Sequence, residues 1–441
     1  AALSSNFSFF LAARVVQGFS VACILPVAIA YIGVIFPPEK RGMASGLFTA
    51  VQGIASTSGA VIAGFLVQIY GWPIIYWISG VLAVIGFFVV KLFVPESTGE
   101  GKRSLDVLGV LLLLVCTGCL LSVSTLVKSF GIDSPYTLGT LGAGVLSAIL
   151  LWIVENRLEN PVIELSLLKR RLFALAVITN LIVIAAYQAF IYAMNFFLSS
   201  KPGGDVGDSG LFYMFIYGAS VIGALSFGKL ADKFDGKKLL LVILTMPLAA
   251  LFLYSFIDST TPFSIVFALA CFFGFGLGAI TPIIIKYALS EMPSAKYGAG
   301  SGLFSFLRDF GAPLGSVTGI VLFSSLTDTF TKSALSSEAK QAGISPALMG
   351  EVEKAGSSGG ELMNQGLASE LQSLGIQFET LMSKASSEGL SLAIQNMAYI
   401  IIAVFAVSFI LALFIPNPKS GIKAKAKIEN FDPVKTDASS S

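Results

Sequence analysis

The chain has 441 residues, of which 55% are hydrophobic and only 12% are charged. This composition would expose too much apolar surface in water, so we expect the lipid bilayer to surround the protein. A formal net charge of +2 is too small to indicate a nucleic-acid partner. The chain has no histidine, the commonest metal ligand and general base, and nothing in it resembles a nucleotide-binding loop. We expect no metal, no other cofactor, no catalytic residues and no enzymatic activity.

Eleven apolar runs lie between charged or Pro/Gly-rich breaks, and each is long enough for a helix that crosses a bilayer, which takes about 20 residues. We therefore predict an all-α integral membrane protein. The predicted spans, in chain order, are 8–35, 43–69, 73–94, 107–127, 136–154, 172–198, 211–231, 238–257, 263–289, 299–325 and 390–415.

Lysine and arginine are concentrated in alternate links between these spans, as at Lys40 and Arg41, and in the C-terminal tail. Such residues are retained on the cytoplasmic side of a membrane. We therefore predict a multi-pass protein of the cell membrane whose C-terminal tail is cytoplasmic. The first span must then enter from the outside.

One stretch of the sequence occurs twice. A shift of 256 positions places Pro26 on Pro282, and it places the sequence SGLF at 45–48 on the same sequence at 301–304. This register predicts two related halves. If the halves were once equal in length, three helices that would precede Arg14 are missing from this chain.

The spans and links divide the chain into four parts. We predict the remainder of an N-terminal bundle with three spans at 1–94, and cytoplasmic links with two extra transmembrane helices at 95–171. A C-terminal bundle with six spans follows at 172–415, and the tail occupies 416–441.

Residues 326–389, within the second bundle, are rich in Ser, Gly, Ala and Glu and are predicted to form an extracellular insert. We expect short helices at 346–355 and 361–374, separated by a flexible break at 356–360. A solvated insert without a specific role is one interpretation, and an external lid is the other.

Several stretches resemble the major facilitator superfamily, in particular its fourteen-span drug:proton antiporter branch. Arg14, Gln17 and Gly18 resemble the family's RxxQG pattern, and 53–64 followed by Tyr-Gly-Trp resembles its glycine-rich fifth helix. The loop at 228–238, GKLADKFDGKK, resembles GxLaDrxGrk, and 307–315 resembles an arginine-and-glycine segment of the thirteenth helix. The resemblance implies the major facilitator fold, with two pseudo-symmetric helical bundles and, as the extra pair, the spans at 107–127 and 136–154.

The sequence departs from the antiporter pattern at two places. The family has Gly-Pro and paired glycines where this chain has Gly59-Ala60 and Ala63-Gly64. The acid that is usual in the family's first helix has no counterpart to compare. We still expect Gly59 and Gly64 to support helix packing.

Arg14 is costly to place inside a membrane, by roughly 2.5–3.5 kcal/mol on insertion scales. Snorkelling of its side chain to the outer interface is one interpretation. The other is that Arg14 faces a central cavity with Gln17, and the resemblance implies a role for this arginine in proton exchange.

Arg308 and Asp309 lie deep within a span, and adjacent helix positions point about 100° apart. We therefore expect each to find a partner on another helix or in cavity water. Desolvation favours the neutral form of a carboxyl group, so Asp309 is our candidate for coupling to protons. A static ion pair between helices is the alternative.

Polar residues recur at near-helical spacing on the span at 172–198, which predicts the wall of a substrate cavity. Tyrosines on the next span are predicted to face it, and a helix–helix contact is the competing explanation. The residues are Asn180, Tyr187, Gln188, Tyr192 and Asn195 on the first span, and Tyr213 and Tyr217 on the second.

The loop that contains Asp232, Lys233, Gly236 and Lys237 is predicted to act as a conformational latch. We expect Asp232 to cap the following helix and Lys233 to meet an acid on a neighbouring span. The loop carries an additional acid at 235 relative to the family pattern.

Three glycines on the span at 299–325 recur at four-residue spacing. Gly311, Gly315 and Gly319 are predicted to allow close helix packing, with sliding during transport as an extension of that role.

We thus expect a monomeric secondary transporter that exports amphipathic organic molecules by alternating access, with the proton gradient as energy source. Its partners are then protons, a small organic substrate and lipid. The alternatives are a proton-coupled metabolite or siderophore carrier, or a non-transporting membrane receptor or assembly subunit on the same scaffold.

Overall fold

The structure is a computed structural model that describes residues 1–4, 6–94, 106–131, 134–158, 164–204, 206–290, 292, 296–357, 365–375 and 377–416. At 60–65, and at a few single positions, it describes the backbone alone. The α-helices in the described residues are α1 (Phe7–Ile35), α2 (Arg41–Tyr70), α3 (Pro73–Phe93), α4 (Val107–Phe130), α5 (Pro135–Glu155), α6 (Arg171–Ser200), α7 (Val206–Lys233), α8 (Gly236–Tyr254), α9 (Phe263–Ser290), α10 (Tyr297–Gln341), α11 (Met349–Ser357), α12 (Gln365–Ser373) and α13 (Phe378–Leu413).

The ends of the helices follow from local chemistry. The side chain of Asn6 accepts a hydrogen bond from the Phe9 amide, which caps α1, and Asp106 caps α4 through the Gly109 amide in the same way. α2 ends at Gly71, whose φ of 74° is a left-handed conformation that glycine adopts without steric cost. Pro73 then occupies the first turn of α3, where it removes no helical hydrogen bond.

The helices confirm the predicted membrane class. Within the described residues, ten helices are long and apolar enough to cross a membrane. Each of them occupies a predicted span, and the remaining predicted span, 43–69, coincides with α2 (Arg41–Tyr70). The protein is therefore an all-α integral membrane protein.

The helix that carries the predicted span at 299–325 extends well beyond that span. α10 continues without a break from Tyr297 to Gln341, and α13 begins at Phe378 rather than near 390. Hydropathy detects where a chain leaves the bilayer and not where its helix ends, and here the helix continues until Gly343 adopts a φ of 84°. The 45 residues of α10 span about 67 Å, against a bilayer of about 40–45 Å with its headgroups.

The protruding parts of α10 and α13 form a small folded unit with α11 and α12, which we call the cap (residues 326–389). The two short helices confirm those predicted at 346–355 and 361–374. The predicted break at 356–360 lies, from 358 onward, outside the described residues. The cap has an apolar core of its own, formed by Ala334, Leu335, Ala339, Ile344, Val352, Ala355, Leu367, Leu371, Leu381 and Ala385.

The helices of the body pack against one another in a connected arrangement, in which α8 contacts both α9 and α13. α7 packs on α9 and α2, while α6 packs on α10 and α13, and α4 and α5 pair with each other. The sequence repeat is visible in the helix boundaries, since Phe7 and Arg41 begin α1 and α2, and Phe263 and Tyr297, each 256 positions later, begin α9 and α10. Both α1 and α9 contain a proline at the equivalent position, Pro26 and Pro282.

Candidate functional site

Three tyrosines on α6 and α7 come together as the sequence predicts. The rings of Tyr213 and Tyr217 stack with centroids 6.0 Å apart, and the ring of Tyr187 meets that of Tyr217 edge-on at 6.5 Å. Asn195 Nδ2 donates a hydrogen bond of 3.1 Å to the Tyr213 hydroxyl. We call these four residues the tyrosine cluster, which combines aromatic faces with a few polar groups and is half-buried.

The other polar residues of α6 do not join this cluster by any described hydrogen bond. Asn180 is only 1% exposed, and neither its amide nitrogen nor its oxygen has a hydrogen-bond partner among the described residues. It therefore lies in a packed contact within the bundle, which was the competing explanation, and not on a cavity wall. Gln188 is half-buried and Tyr192 is exposed on the same helix.

The expected separation of Arg308 and Asp309 was wrong. Arg308 Nε donates a hydrogen bond of 3.0 Å to Asp309 Oδ1, so the two adjacent residues form an ion pair. The 100° between their Cα–Cβ bonds does not prevent this, because the long arginine side chain bends across it. The expected desolvation of Asp309 was also wrong, since its side chain is 52% exposed while that of Arg308 is 10% exposed.

Arg14 pairs with its neighbour in the RxxQG pattern. Its Nη1 donates a hydrogen bond of 2.8 Å to Gln17 Oε1, one turn later on α1. The guanidinium also lies 5.8 Å from the ring centroid of Tyr76 on α3. Arg14 is exposed, and the described residues provide it with no carboxylate within 4 Å.

Asp232, at the end of α7, connects three helices. Its two carboxylate oxygens accept hydrogen bonds from the backbone amides of Gly42 (2.9 Å) and Met43 (2.7 Å), the first residues of α2. Lys286 Nζ on α9 donates a further bond of 2.8 Å to Asp232 Oδ1. We call this arrangement the Asp232 bridge; the carboxylate lies where the amides and positive dipole end of α2 favour a negative charge.

The partners predicted for this loop therefore need correction. Asp232 does not cap the following helix; Asp235 does, because its side chain accepts a hydrogen bond from the Lys237 amide. Lys233 is exposed and has no ion pair among the described residues. Gly236 allows the ring of Tyr287 to pack on it, since a Cβ there would lie 2.8 Å from Tyr287 Cε2.

Arg41 is a functional candidate that the sequence analysis treated only as a topology signal. It is 8% exposed, and its Nη2 donates hydrogen bonds to the Gly33 carbonyl (2.7 Å) and the Tyr297 hydroxyl (2.8 Å). Its Nε donates to the Phe36 carbonyl at 3.2 Å, so it also holds the end of α1. The repeat contained a signal for this contact, because Arg41 and Tyr297 are exactly equivalent positions, 256 residues apart.

Glycines bring helices together on both sides of the molecule. A Cβ at Gly311 would lie 2.9 Å from the Leu181 carbonyl oxygen, and one at Gly315 or Gly319 would overlap the backbone of α6, so at these positions α10 lies very close to α6. Gly59 does not share this role, because a Cβ there would meet nothing within 4 Å among the described residues. Gly64 lies in the part of α2 described by backbone alone.

The loop between α8 and α9 closes the opposite end of the bundle. Lys201 Nζ donates a hydrogen bond to the Thr261 carbonyl, and partial burial lowers the pKa of Lys201. The Asp258 carboxylate accepts hydrogen bonds from Thr260 and Thr261, which lower the pKa of Asp258 below its usual range. Ser259 joins this loop to α13 through its amide, which donates to Ser391 Oγ at 2.8 Å.

A family model described as Major Facilitator Superfamily matches residues 1–316 of the chain. The chain is 26% identical over 320 residues to multidrug resistance protein 3 of Bacillus subtilis, covering 72% of this chain and 62% of that protein. It is 28% identical over 331 residues to the multidrug resistance protein Stp of Mycobacterium tuberculosis, covering 74% and 61%.

The name of a third relative refers to a metabolite. The chain is 26% identical over 319 residues to the riboflavin transporter RibZ of Clostridioides difficile, covering 71% of this chain and 68% of that protein. The chain spans about three-fifths of the length of the two multidrug resistance proteins.

Proposed function

The chain belongs to the Major Facilitator Superfamily, and on that premise we propose that it exports amphipathic organic molecules in exchange for protons by alternating access. The observation that carries this proposal is the Asp232 bridge. It joins α7, in the second half of the sequence repeat, to the first residues of α2, in the first half. A contact of this kind holds one end of the passage between the halves closed, and its release opens that end.

The tyrosine cluster is the proposed site for the transported molecule. Aromatic faces bind flat apolar groups and, through their π electrons, also attract organic cations. The Asn195 amide and the tyrosine hydroxyls add a few directional hydrogen bonds. This chemistry favours an aromatic amphipathic solute over a sugar or a simple ion.

Coupling to protons is assigned to Asp309 together with Arg308. A carboxylate that is half exposed can exchange a proton with water, and its ion pair with Arg308 must weaken when it becomes protonated. Arg14 with Gln17 is a second polar pair in the first half, and we assign it a supporting role.

The proposed surroundings follow from the distribution of charge. Lys40 and Arg41 lie next to the Asp232 bridge, so the bridge faces the cytoplasm and the cap faces the outside. The cell membrane is the proposed location, and a monomer is the proposed unit. The predicted cytoplasmic tail lies, from 417 onward, outside the described residues.

The experiment is proton-coupled dye transport in proteoliposomes that contain the chain. Pyranine inside the vesicles reports internal pH, and ethidium is added outside a vesicle with an acidic interior. We expect ethidium uptake and a rise of internal pH together. Tyr217→Ala is expected to slow uptake about tenfold, whereas Tyr136→Ala, at an exposed position on α5, serves as the matched control.

Coupling is tested separately from binding. Asp309→Asn is expected to abolish the rise in internal pH while ethidium binding is kept. If Asp309→Asn keeps full pH-driven uptake, Asp309 is not the coupling group. If the unmodified chain moves ethidium with no proton flux, the exchange mechanism is wrong.

A second candidate, export or uptake of a flat aromatic metabolite, is favoured by the likeness to a riboflavin transporter. The tyrosine cluster suits an isoalloxazine ring as well as it suits a dye. Uptake of riboflavin but not of ethidium in the same vesicles would favour this second function.

A further inference from the structure

A cavity lies at the end of the bundle opposite the Asp232 bridge. It is an open cavity lined by the end of α6, by the outer parts of α10 and α13, and by α11. Its volume is about 630 Å³, within the range of roughly 300–1,000 Å³ that is typical of sites for drug-sized molecules.

The wall of this cavity is amphipathic. Phe196, Leu335 and Met382 supply apolar surface, and hydroxyl groups such as that of Ser386 supply hydrogen bonds. Two opposite charges, Asp328 and Lys332, also line it. An apolar body with a few polar groups is the chemistry that small-molecule sites commonly recognise.

The two charges are placed to act on a ligand. Asp328 and Lys332 lie four residues apart on α10, which puts both on one face of the helix about one turn apart. Among the described residues neither forms an ion pair within 4 Å, with each other or with a neighbour. Both side chains are exposed, so the cavity presents an anionic group and a cationic group beside an apolar surface.

We propose that this cavity binds a zwitterionic amphipathic small molecule. The anionic group of the ligand lies beside Lys332, its cationic group lies beside Asp328, and its apolar body packs on Phe196, Leu335 and Met382. The site is separate from the tyrosine cluster and is formed in part by the cap. It gives the cap a binding role that neither a plain solvated insert nor a lid would have.

Four fluorescent probes with one shared fluorophore separate the charge requirements. Nε-dansyl-lysine is zwitterionic, dansylglycine is anionic, dansylcadaverine is cationic and dansylamide is neutral. Each is titrated against the full chain in nanodiscs of neutral lipid, with no pH gradient. This readout measures binding alone, so it is independent of whether the chain transports anything.

We expect dansyl-lysine to bind more tightly than dansylamide. Lys332→Met is expected to weaken binding of dansyl-lysine and dansylglycine by roughly fivefold and to leave dansylcadaverine unaffected, because one partly exposed charge pair is lost. Asp328→Asn is expected to weaken dansyl-lysine and dansylcadaverine by a similar factor. Ser386→Trp, which fills the cavity, is expected to remove the preference for dansyl-lysine.

Matched controls lie on the same helix outside the cavity. Lys340→Met and Glu338→Gln change the same charges but line no part of it, so they are expected to leave all four affinities unchanged. The proposal is overturned if dansyl-lysine binds no better than dansylamide, or if Lys332→Met and Lys340→Met have equal effects. It is also overturned if Tyr217→Ala, but not Lys332→Met, weakens the binding of dansyl-lysine.

Discussion

Replacing Asp232 by asparagine tests the closed end of the passage. Both carboxylate oxygens accept hydrogen bonds from α2, and one of them also accepts the bond from Lys286. Asp232 and Lys286 both lie in the second half, so in the proposed mechanism we expect their pair to persist when the halves separate. We expect the contacts of Asp232 with Gly42 and Met43 to be lost on opening, so these contacts should favour the closed state.

The magnitude follows from those two contacts. A charged side chain at a helix N-terminus stabilises it by about 1–2 kcal/mol through amide hydrogen bonds and the helix dipole. Asparagine loses the charge and keeps only one acceptor oxygen, and its Nδ2 group places a donor against the donor of the second amide, so we expect most of this stabilisation to be lost. We therefore expect Asp232→Asn to increase the fraction of molecules open at this end by roughly 5- to 30-fold, since about 1.4 kcal/mol corresponds to a factor of ten.

Alkylation of a buried cysteine measures that fraction. Ser45 lies on α2 behind the Asp232 bridge and is 0% exposed, so Ser45→Cys reacts with a polar maleimide only in open molecules. The four native cysteines are first replaced. Asp235→Asn is the matched control, because it removes a carboxylate charge from the same loop and the Asp235 side chain caps α8 through the Lys237 amide.

The expected result is faster alkylation in Asp232→Asn than in Asp235→Asn by the stated factor. Equal rates in the two variants would refute the reasoning, as would an unchanged rate in Asp232→Asn.

Three other substitutions test separate parts of the account. Gly315→Ala forces a Cβ against the backbone of α6, so we expect the free energy of unfolding to fall by about 1–3 kcal/mol and a thermal-shift assay to show a lower melting temperature. Gly302→Ala is the control on the same helix, because its Cβ meets nothing within 4 Å among the described residues. Equal effects of the two substitutions would contradict this prediction. In Arg41→Lys, the single amino group of lysine cannot bind Gly33, Phe36 and Tyr297 together. We therefore expect faster alkylation of Ser45→Cys in Arg41→Lys than in the control Arg157→Lys, which changes an exposed arginine. Equal rates would exclude Arg41 as a contact of the closed state. Hydrogen bonds lower the pKa of Asp258 in the folded state, so its contribution to stability is present above the unfolded value of about 4 and is lost as the pH falls through the lower folded value. Asp258→Asn should therefore lower the melting temperature at pH 7, and this effect should shrink as the pH falls below about 4. A pH-independent effect would contradict the assignment.

The membrane spans were predictable because their signal is local. An apolar run of sufficient length has few structures available to it in a bilayer, and a helix satisfies all of its backbone groups. Hydropathy does not indicate where α10 ends, because the residues beyond 326 are polar but still compatible with a helix. A helix outside the bilayer ends where the backbone is interrupted, here near Gly343, and not where hydropathy falls.

The tyrosine cluster was predictable in outline for a similar reason. Helical spacing puts Tyr187 and Asn195 on one side of α6, and Tyr213 and Tyr217 lie on the helix that follows. Spacing does not say which polar residue faces a cavity and which faces another helix. Asn180 therefore shared the pattern and yet lies buried in a packed contact.

The contacts between the two halves could not be predicted from local sequence. Asp232 accepts hydrogen bonds from residues 190 and 189 positions earlier, whereas a local sequence pattern can indicate only the nearest helix as its partner. The contact between Arg41 and Tyr297 is different, because these two residues are equivalent positions of the internal repeat, 256 residues apart. The ion pair between Arg308 and Asp309 forms because the arginine side chain is long enough to bend toward its neighbour. The directions of the two Cα–Cβ bonds alone had suggested that no such pair would form.

The central claim is that the two halves separate at the Asp232 bridge when a solute is transported. Spin labels at positions 40 and 234, two exposed sites on either side of the bridge, report the distance between the halves in the reconstituted chain. We expect mainly a short distance without solute, and a second, longer distance that grows when ethidium is added. A single distance that ethidium and pH leave unchanged would contradict the account.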